Sequence, residues 1–262
     1  MSKGKFYFSK SLEKGLKILS LFNRETPLLT QSDISKTLSL NMTSTYRYIN
    51  TLVELGFLEK DVKTKAIRPS VHCLMFCTNL IRATDHLRLM KGVVDRIHGE
   101  QNISIEVAFV VDDTLVRFYN KEAAETLTYS LPDFSRNSLH NTALGKAYLS
   151  SLPEALMTEK VDGMTLTART ANTISDKKTL IKELMAAKAR RYTMAVEEFL
   201  PGLIAIGAPL IDPHSGEGVG AVSFDFSVIQ NTAEDIEKNY AGLIVLAAAA
   251  LSELLPPDRH SG

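Results

Sequence analysis

One face of a predicted helix carries polar side chains that suit contact with nucleic acid. Within NMTSTYRYINTLVELGFLEKD, residues 41–61, four of them recur at the i, i+3, i+4 and i+7 spacing of a single helical face: Thr43, Tyr46, Arg47 and Asn50. The hydroxyl groups of Thr43 and Ser44, with the free N–H groups at a helix start, suit phosphate oxygens. Arginine and asparagine bind guanine and adenine edges in the major groove. The pattern predicts a helix that contacts the backbone and bases of a DNA duplex.

Other reactive side chains lack the partners that their chemistry would need. Gly145-Lys146 resembles the end of a phosphate-binding loop. That motif, however, needs Ser or Thr directly after the lysine, and Ala147 stands there. The sequence has no G-x-S-x-G elbow, no H-E-x-x-H motif and no cysteines paired at zinc spacing. No catalytic residue, metal site or cofactor is therefore predicted.

Three further candidates are better explained by structural roles. His140 has no nucleophile near it in sequence and is expected to cap a helix or form another hydrogen bond. Glu197 and Glu198 are adjacent in a predicted strand, so their side chains point to opposite faces and are poor partners for acid–base catalysis. Cys73 and Cys77 stand one helical turn apart among apolar residues and are expected to pack as small apolar side chains. Two such cysteines make no disulfide framework, which fits a reducing compartment.

The polar face belongs to the third of three predicted helices. Apolar residues at helical spacing predict the buried face of the first helix: Leu12, Leu16, Leu19 and Phe22. In TQSD, Thr30 and Asp33 match a capping box at the start of the second helix. The third helix begins at Asn41 or Thr43. Three apolar residues predict its buried side: Ile49, Leu52 and Leu55.

A two-stranded wing is predicted after the third helix, and the whole segment then makes a winged helix-turn-helix. Gly56 suits a left-handed helix cap, and FLEKD and AIRPSV alternate as a hairpin around the tip VKTK. At this tip, Lys63 and Lys65 would add affinity for the DNA backbone that depends on salt but not on sequence. The predicted DNA-contacting set is Thr30, Gln31, Thr43, Ser44, Tyr46, Arg47, Asn50, Lys63 and Lys65. The alternative is a solvated face on a small helical subdomain.

The distribution of charge also favours a polyanion as partner of the first segment. The chain has no net charge, with 30 Lys and Arg against 30 Asp and Glu. Residues 1–75 hold 12 of the basic residues and only 6 of the acidic ones, so a basic end precedes an acidic body. No apolar run reaches the roughly 18 residues of a membrane span, and the N-terminus lacks a secretory-signal pattern. We therefore expect a cytoplasmic protein with no membrane partner.

The rest of the chain predicts a linking helix and an α/β segment. A helical stripe from about Thr78 to Ile97 suits a helix that links the two halves and pairs with its copy in a dimer, although an interdomain strut would look the same. Strands are predicted at ISIEVAFVV, LVRFY, TLTYSL, YTMAVEE, GLIAIGAPLI and VGAVSFDFSV. Helices are predicted at NTALGKAYLSSL, at DKKTLIKELMAAKARRY and from about Thr232 to Leu255. The expected fold is α+β, with a mainly antiparallel sheet and packed helices of the kind that house a small-molecule cavity.

Five segments in order and register resemble the IclR-type bacterial transcriptional regulators. They are SLEKGLKILSLF, LNMTSTYRYINTLVELGFLEKD, SLHNTALGKAYLSSLP, TANTISDKKTLIKEL and VEEFLPGLIAIGAPLID. The resemblance covers about Ser11 to Leu255. It implies a winged helix-turn-helix domain at 1–75, a linker helix region at 76–98 and a GAF-like effector-binding domain at 99–262. It also implies homodimers, often paired as homotetramers on an operator, with repression or activation switched by a small metabolite.

The resemblance further implies an effector pocket between the sheet and the loop that leads into the TALGKA helix. Carried over by position, the effector-binding residues are Ala143, Gly145, Lys146, Ala205, Ser223 and Asp225. A helix start with free N–H groups suits a carboxylate, and many ligands of the family are organic or aromatic acids. Ala205 replaces a frequent Cys, Ala195 replaces an Asp found in some members, and Asp225 replaces a second Ser. These departures indicate a ligand with apolar bulk rather than glyoxylate, and Asp225 would prefer a hydroxyl or amine.

The predicted function is a DNA-binding transcriptional regulator, not an enzyme, whose partners are double-stranded operator DNA and a small-molecule effector. One alternative is a constitutive DNA-binding regulator with an empty sensor domain. Another is an enzyme that uses the same cavity, which would need a nucleophile, metal or cofactor site. For Ser223 and Asp225, the alternative is a hydrogen-bonded pair in a strand that contacts no ligand.

Overall fold

The computed structural model describes residues 8–23, 26–124 and 139–256. They belong to two compact units, Met1–Thr84 and Asp85–Gly262. The strand predicted at TLTYSL, residues 126–131, lies outside the described residues. The domain limits given above, with a separate linker region at 76–98, stay a prediction.

The first unit is a winged helix-turn-helix, which confirms the predicted fold. Its elements are α1 (Lys10–Leu19), α2 (Gln31–Thr37), α3 (Met42–Glu54), β1 (Leu58–Lys60), β2 (Ile67–Pro69) and α4 (Val71–Arg82). β1 and β2 pair antiparallel, and Leu29 adds an isolated bridge to Ile67. The buried core joins all three helices to the wing: Ile18, Ile34, Ile49, Leu52, Leu58 and Ile67.

The predicted buried face of α1 is wrong in its first half. Leu12 and Leu16 are 63% and 56% exposed, whereas Ile18 is fully buried. The helix packs through its C-terminal end and the turn after it, with these residues: Ile18, Leu19, Leu21 and Phe22. Periodicity alone cannot show which part of an amphipathic helix meets the rest of a domain.

The predicted buried side of α3 is right at two positions of three. Ile49 and Leu52 are buried, but Leu55, the residue that caps the helix C-terminus, is 58% exposed. Thr45 takes the third interior position, and its hydroxyl donates to the carbonyl of Asn41 at 3.0 Å. This local hydrogen bond lets a polar side chain be buried at low cost.

The linking segment consists of two helices rather than the one that was predicted. α4 ends at Arg82 and α5 (Asp85–Gln101) begins three residues later. The hydroxyl of Thr84 donates to the carbonyl of Leu80 at 2.7 Å, so it bonds back to the last turn of α4. On α4, Cys77 is exposed and Cys73 is half-buried, so the expected packing of both cysteines is wrong for Cys77.

The second unit is built on a five-stranded antiparallel sheet in the order β4-β3-β7-β6-β5. The strands are β3 (Ser104–Val111), β4 (Thr114–Lys121), β5 (Thr193–Val196), β6 (Leu203–Ile211) and β7 (Gly218–Ser227). Asp112 and Asp113, both with positive φ, form the predicted two-residue turn between β3 and β4. The remaining helices are α6 (Ala143–Ser151), α7 (Glu154–Gly163), α8 (Lys177–Arg190) and α9 (Ala233–Ser252). Of these, α7 was not predicted.

Helices cover both faces of this sheet. α5 and α9 pack on the large apolar residues of one face, among them Ile105, Ile206 and Phe224. α6, α7 and α8 form the other core with smaller strand residues, Ala108 and Ala221. In the described parts of the chain, no helix is both long and apolar enough to cross a membrane.

The close packing of α6 gives a stability prediction. Gly145 lies in the first turn of this helix, where an added Cβ would collide with the backbone of Leu139. Gly145→Ala should therefore lower the free energy of unfolding by about 1–3 kcal/mol. The matched control is Gly242→Ala in α9, where the same methyl group meets open space. It should be neutral or stabilise by up to about 1 kcal/mol. Urea unfolding of both full-length variants measures this, and equal stability of Gly145→Ala and the parent would contradict the packing.

Candidate DNA-contacting face and effector cavity

The helix-turn-helix is held together by short polar contacts in its turn. The hydroxyl of Ser35 donates to the carbonyl of Leu40 at 2.6 Å, and the Leu40 N–H donates to the carbonyl of Ser35 at 2.9 Å. Ser39 between them adopts a left-handed φ of 51°. Asn41 then caps α3 by accepting from the Ser44 N–H at 2.7 Å. These bonds fix where α3 begins and which face it exposes.

The predicted DNA-contacting face of α3 points away from the core. Thr43, Tyr46 and Arg47 are exposed, and Ser44 and Asn50 are half-buried. Within the described ranges, the side chains of Arg47 and Asn50 have neither a hydrogen-bond nor an ion-pair partner. An unpaired guanidinium and amide on an exposed helix face keep their donors available for a phosphate or a base edge.

Lys60 adds a cation to this face that the sequence did not suggest. Its ammonium group lies 5.6 Å from the centre of the Tyr46 ring, in a cation–π arrangement. Lys60 is the last residue of β1, so the wing brings it back to α3. The hairpin pattern could have indicated this proximity.

Thr30 and Gln31 are engaged in local structure. Thr30 and Asp33 form the predicted capping box, in which the Thr30 N–H donates to the Asp33 carboxylate at 2.8 Å. The Gln31 amide donates to the carbonyl of Met42 at 3.1 Å and so ties the start of α2 to the start of α3. Both residues position α3, and their contact with DNA stays a prediction.

The wing tip presents its lysines to solvent. The Asp61 carboxylate accepts from the N–H groups of Lys63 and Thr64, at 2.8 and 2.7 Å, and so closes the turn. Lys63 and Lys65 are exposed, and Lys65 adopts a left-handed φ of 61°. This ordered turn holds two cations at the end of the hairpin, as the prediction of a backbone contact requires.

A second candidate site lies in the other unit, on the sheet face that carries α6. Strand register brings its polar residues together, since Glu106 pairs with Ser223 across β3 and β7, and Asp225 pairs with Ala205 across β7 and β6. Ala195 in turn pairs with Ala205. The four strands therefore form an acidic patch beside a floor of alanines.

The start of α6 is seated directly on this floor. Thr142 caps the helix by accepting from the Gly145 N–H at 3.0 Å. The hydroxyl of Thr193 donates to the carbonyl of Ala143 at 2.9 Å. Gly207 lies beneath the same carbonyl, and a Cβ there would come within 2.9 Å of its oxygen. Small residues at the start of α6 and on the strands beneath it are thus required for this close approach.

A cavity of about 20 Å³ lies between the sheet and the start of α6. Its lining residues are Glu106, Thr142, Ala143, Leu144, Ala195, Phe199, Leu203, Ala205, Ser223 and Asp225. This volume holds about one water molecule, so a larger ligand requires side chains to move apart. Phe199 is the largest apolar side chain of the lining, and the Arg169 guanidinium stacks 4.2 Å from its ring centre.

The polar end of the cavity has an unusual charge balance. The Arg117 guanidinium donates to the Glu106 carboxylate, and the Ser223 hydroxyl donates to Asp225 Oδ1 at 3.1 Å. Burial raises the pKa of Asp225 to about 8, and the neighbouring Glu106 adds to this rise. Burial also raises the pKa of Glu106, although Arg117 opposes the change. One of the two carboxyl groups is thus neutralised by a cation, and the other by retaining its proton.

Lys146 lies behind the cavity rather than in its lining. Its ammonium group is 2.5 Å from Glu198 Oε1, and the Lys146 residue is only 1% exposed. Burial raises the pKa of Glu198, with Lys146 as the main opposing charge. The second carboxylate oxygen of Glu198 is buried without a hydrogen-bond partner in the described part of the chain. This ion pair ties α6 to the segment after β5.

The structure gathers four of the six predicted effector residues at the cavity: Ala143, Ala205, Ser223 and Asp225. Gly145 and Lys146 do not belong to this lining and help to pack α6, and their contact with an effector stays a prediction. The sequence pattern had not indicated Glu106 or Phe199 as lining residues. A lone Glu within the apolar strand ISIEVAFVV was a signal for the first, and nothing local marked the second.

His140 has the structural role that was expected of it. It is buried, and its Nε2 lies 3.1 Å from the carbonyl of Thr167. Among the described residues, no cluster of three or more His, Cys, Asp or Glu side chains could hold a metal ion.

The raised pKa of Asp225 gives a pH-dependent prediction for stability. The folded protein retains the Asp225 proton up to about pH 8, whereas the unfolded chain loses it near pH 4. The stability that this proton confers is present below pH 4 and is lost as the pH rises to about 8. Asp225→Asn removes the titration. We therefore expect its melting temperature, relative to the parent, to rise from pH 5 to pH 8.

The control for this series is Asp162→Asn, which alters an exposed carboxylate on α7 outside the cavity. Differential scanning fluorimetry of the three proteins at each pH separates the two sites. A constant difference between Asp225→Asn and the parent across this range would contradict a buried, protonated Asp225.

Comparisons with known proteins identify both domains. Residues 11–62 match the IclR helix-turn-helix domain and residues 78–253 match the bacterial transcriptional regulator IclR C-terminal domain. The Pca regulon regulatory protein of Pseudomonas putida is 24% identical over 95% of this chain and 84% of its own length. A crystal structure of an IclR transcriptional regulator from Alicyclobacillus acidocaldarius has a TM-score of 0.79 at 16% identity, covering 95% of this chain and 99% of that one.

One structural neighbour contains a bound small molecule. It is an IclR homologue from Microbacterium hydrocarbonoxydans in complex with 4-hydroxybenzoate. The TM-score is 0.71 at 20% identity, and the match covers 94% of this chain and 99% of that one. The two domain matches together span most of the sequence, in the order that the fold requires. The chain belongs to the IclR family of bacterial transcriptional regulators.

Proposed function

We propose that this regulator binds operator DNA through the exposed face of α3 and the wing, and that an organic or aromatic acid in the α6 cavity changes its operator affinity. The observation that carries the first part is the pair of unengaged side chains on α3, Arg47 and Asn50. The two lysines of the wing tip supply neighbouring positive charge. Together they match the division between base contacts and phosphate contacts in helix-turn-helix proteins.

The α6 cavity supports the second part of the proposal. Its lining is mostly apolar, and the first turn of α6 adds backbone N–H groups of the kind that bind carboxylates. The Ala143 and Leu144 N–H groups have no acceptor within the described ranges, so they are available to a ligand. The Pca regulon relative and the 4-hydroxybenzoate complex make an aromatic acid a reasonable first choice.

Regulation then follows from a shift between two populations of the protein. A ligand that fits an expanded cavity stabilises the conformations in which α6 and the sheet are further apart. In a homodimer, or a tetramer of two dimers, such a change would alter the spacing of paired recognition helices on the operator. We place this regulator in the cytoplasm, where operator DNA and metabolites are both available.

Two alternatives make different predictions about the cavity. A constitutive regulator with an empty sensor would bind DNA with the same affinity whether or not metabolites are present. An enzyme would convert the bound molecule. Isothermal titration against a library of organic acids, followed by chromatography of the recovered ligand, separates both from a sensor.

The role of Arg47 can be measured with a duplex selected from a random pool by the parent protein. Arg47→Ala should weaken binding to this duplex by about 1–3 kcal/mol and relax sequence preference at one position, because a base contact is lost. Fluorescence anisotropy at fixed salt provides the affinity. The matched control is Arg88→Ala, which removes an exposed arginine of α5 in the other unit. Parent-like affinity and selectivity of Arg47→Ala would remove this residue from the interface.

The wing lysines should behave differently from Arg47. Lys63→Ala and Lys65→Ala should each weaken binding to all duplexes alike and reduce the slope of log K against log salt by about 1. A salt titration of each variant with the selected duplex and with an unrelated duplex tests this. An unchanged slope in both variants would mean that the wing does not reach the DNA.

A further inference from the structure

The polar end of the α6 cavity carries two carboxyl groups, and one of them is not fully engaged within the protein. Glu106 and Asp225 both reach it, and Ser223 already donates its hydroxyl hydrogen to Asp225 Oδ1. The other oxygen of Asp225 has no partner in the described part of the chain, and the residue keeps some exposure. Once Asp225 is ionised, an acceptor without a donor is costly at this depth, so the ionised carboxylate favours a ligand that donates.

The charges around this end favour a cationic donor. Glu106 on β3 is paired with Arg117 of β4, so these two groups compensate each other. On α6, Lys146 is paired with Glu198 and does not line the cavity. The facing strand β6 contributes two apolar residues, Leu203 and Ala205. Once ionised, Asp225 would thus be the one uncompensated charge of the lining, and a single ammonium group would neutralise it.

We propose that the effector is an amino-substituted acid, whose ammonium group donates to Asp225 while its carboxylate lies at the start of α6 and an apolar body covers the alanine floor. The proposal rests on the effector function assigned to this cavity above and specifies the class of ligand. Asp225 is then the residue that determines specificity.

Three probes that differ in one group test this preference. They are 4-(aminomethyl)benzoate, 4-(hydroxymethyl)benzoate and 4-ethylbenzoate, which share a carboxylate, a ring and nearly the same length. A shorter trio, 4-aminobutyrate, 4-hydroxybutyrate and pentanoate, covers the case that a ring is too large. In at least one trio, isothermal titration of the full chain at pH 7 should show that the amino probe binds tightest. Its dissociation constant should be at least tenfold lower than that of the alkyl probe.

Variants of the lining assign the preference to Asp225. Asp225→Asn keeps the shape but not the charge, so the advantage of the amino probe over the hydroxyl probe should disappear. Asp162→Asn, with its exposed carboxylate outside the cavity, should retain the advantage. Phe199→Ala enlarges the cavity and keeps the test valid if the parent is too closed to admit a ring.

The release of a proton from Asp225 on binding is a further readout. If Asp225 had only a structural role, binding of the amino probe would release no proton from it. Because Asp225 holds a proton near neutral pH in the empty cavity, an ammonium group should displace it on binding. The binding enthalpy of the amino probe should therefore vary with the ionisation enthalpy of the buffer. The hydroxyl probe should show no such variation, and neither probe should show it in Asp225→Asn.

Several results would overturn the inference. They are tightest binding of a hydroxyl or alkyl probe in both trios, an amino preference that persists in Asp225→Asn, or no binding of any of the six probes to the parent and to Phe199→Ala. In each case the effector function itself is judged separately, by whether any acid of the library changes affinity for the selected duplex. If no acid does so, the effector function fails whatever the probes show.

Discussion

The approach of α6 to the sheet is the constraint on which the second unit depends. The carbonyl of Ala143 lies directly over Gly207 and accepts from Thr193, so the first turn of the helix is fixed to two strands at once. This contact places free backbone N–H groups over the alanine floor. It also sets the small volume of the cavity, because any larger residue at Gly207 would lift the helix. A ligand larger than the cavity would have to move α6 away from the sheet. Part of its binding energy would then be used to change the conformation of the protein.

The two units differ in the burial and pairing of their charged side chains. In the second unit, the carboxylates of Glu106 and Glu198 are withdrawn from water and matched by Arg117 and Lys146. Such buried pairs are costly to break and restrict the ways in which α6 and the strands can pack. In the first unit, Arg47 and the wing lysines are exposed and have no ion-pair partner among the described residues, which suits a partner that brings its own negative charge. The difference follows the predicted division between a ligand-binding body and a DNA-binding head.

Local signals in the sequence were sufficient for most of the fold. The Thr30 capping box, the left-handed Gly56 and the Asp112 turn all act within a few residues, so the sequence shows them directly. The division of α4 from α5 was missed, since Ala83 and Thr84 carry no strong break signal. The buried half of α1 was also misjudged. Which side of an amphipathic helix is covered depends on neighbours that are distant in sequence.

The candidate sites show the same limit more sharply. The α3 face was predictable because one helix carries it. The cavity is assembled from α6, four strands and the loop after β5, so family resemblance located Ala143, Ala205, Ser223 and Asp225 where spacing could not. Glu198 is 52 residues from Lys146 and was dismissed as a strand residue. Only the register of β3 on β7 shows that Glu106 stands beside Ser223.

We propose that the cavity and the DNA-contacting face are coupled, so that binding at one site changes the affinity at the other. The most direct measurement is the affinity of a cavity-binding acid for the free protein and for the protein saturated with its selected duplex. Thermodynamic linkage requires the ratio of these affinities to equal the ratio of duplex affinities with and without the acid. We predict a common ratio that differs from one by at least fivefold. Equal acid affinities in the two states would contradict the account.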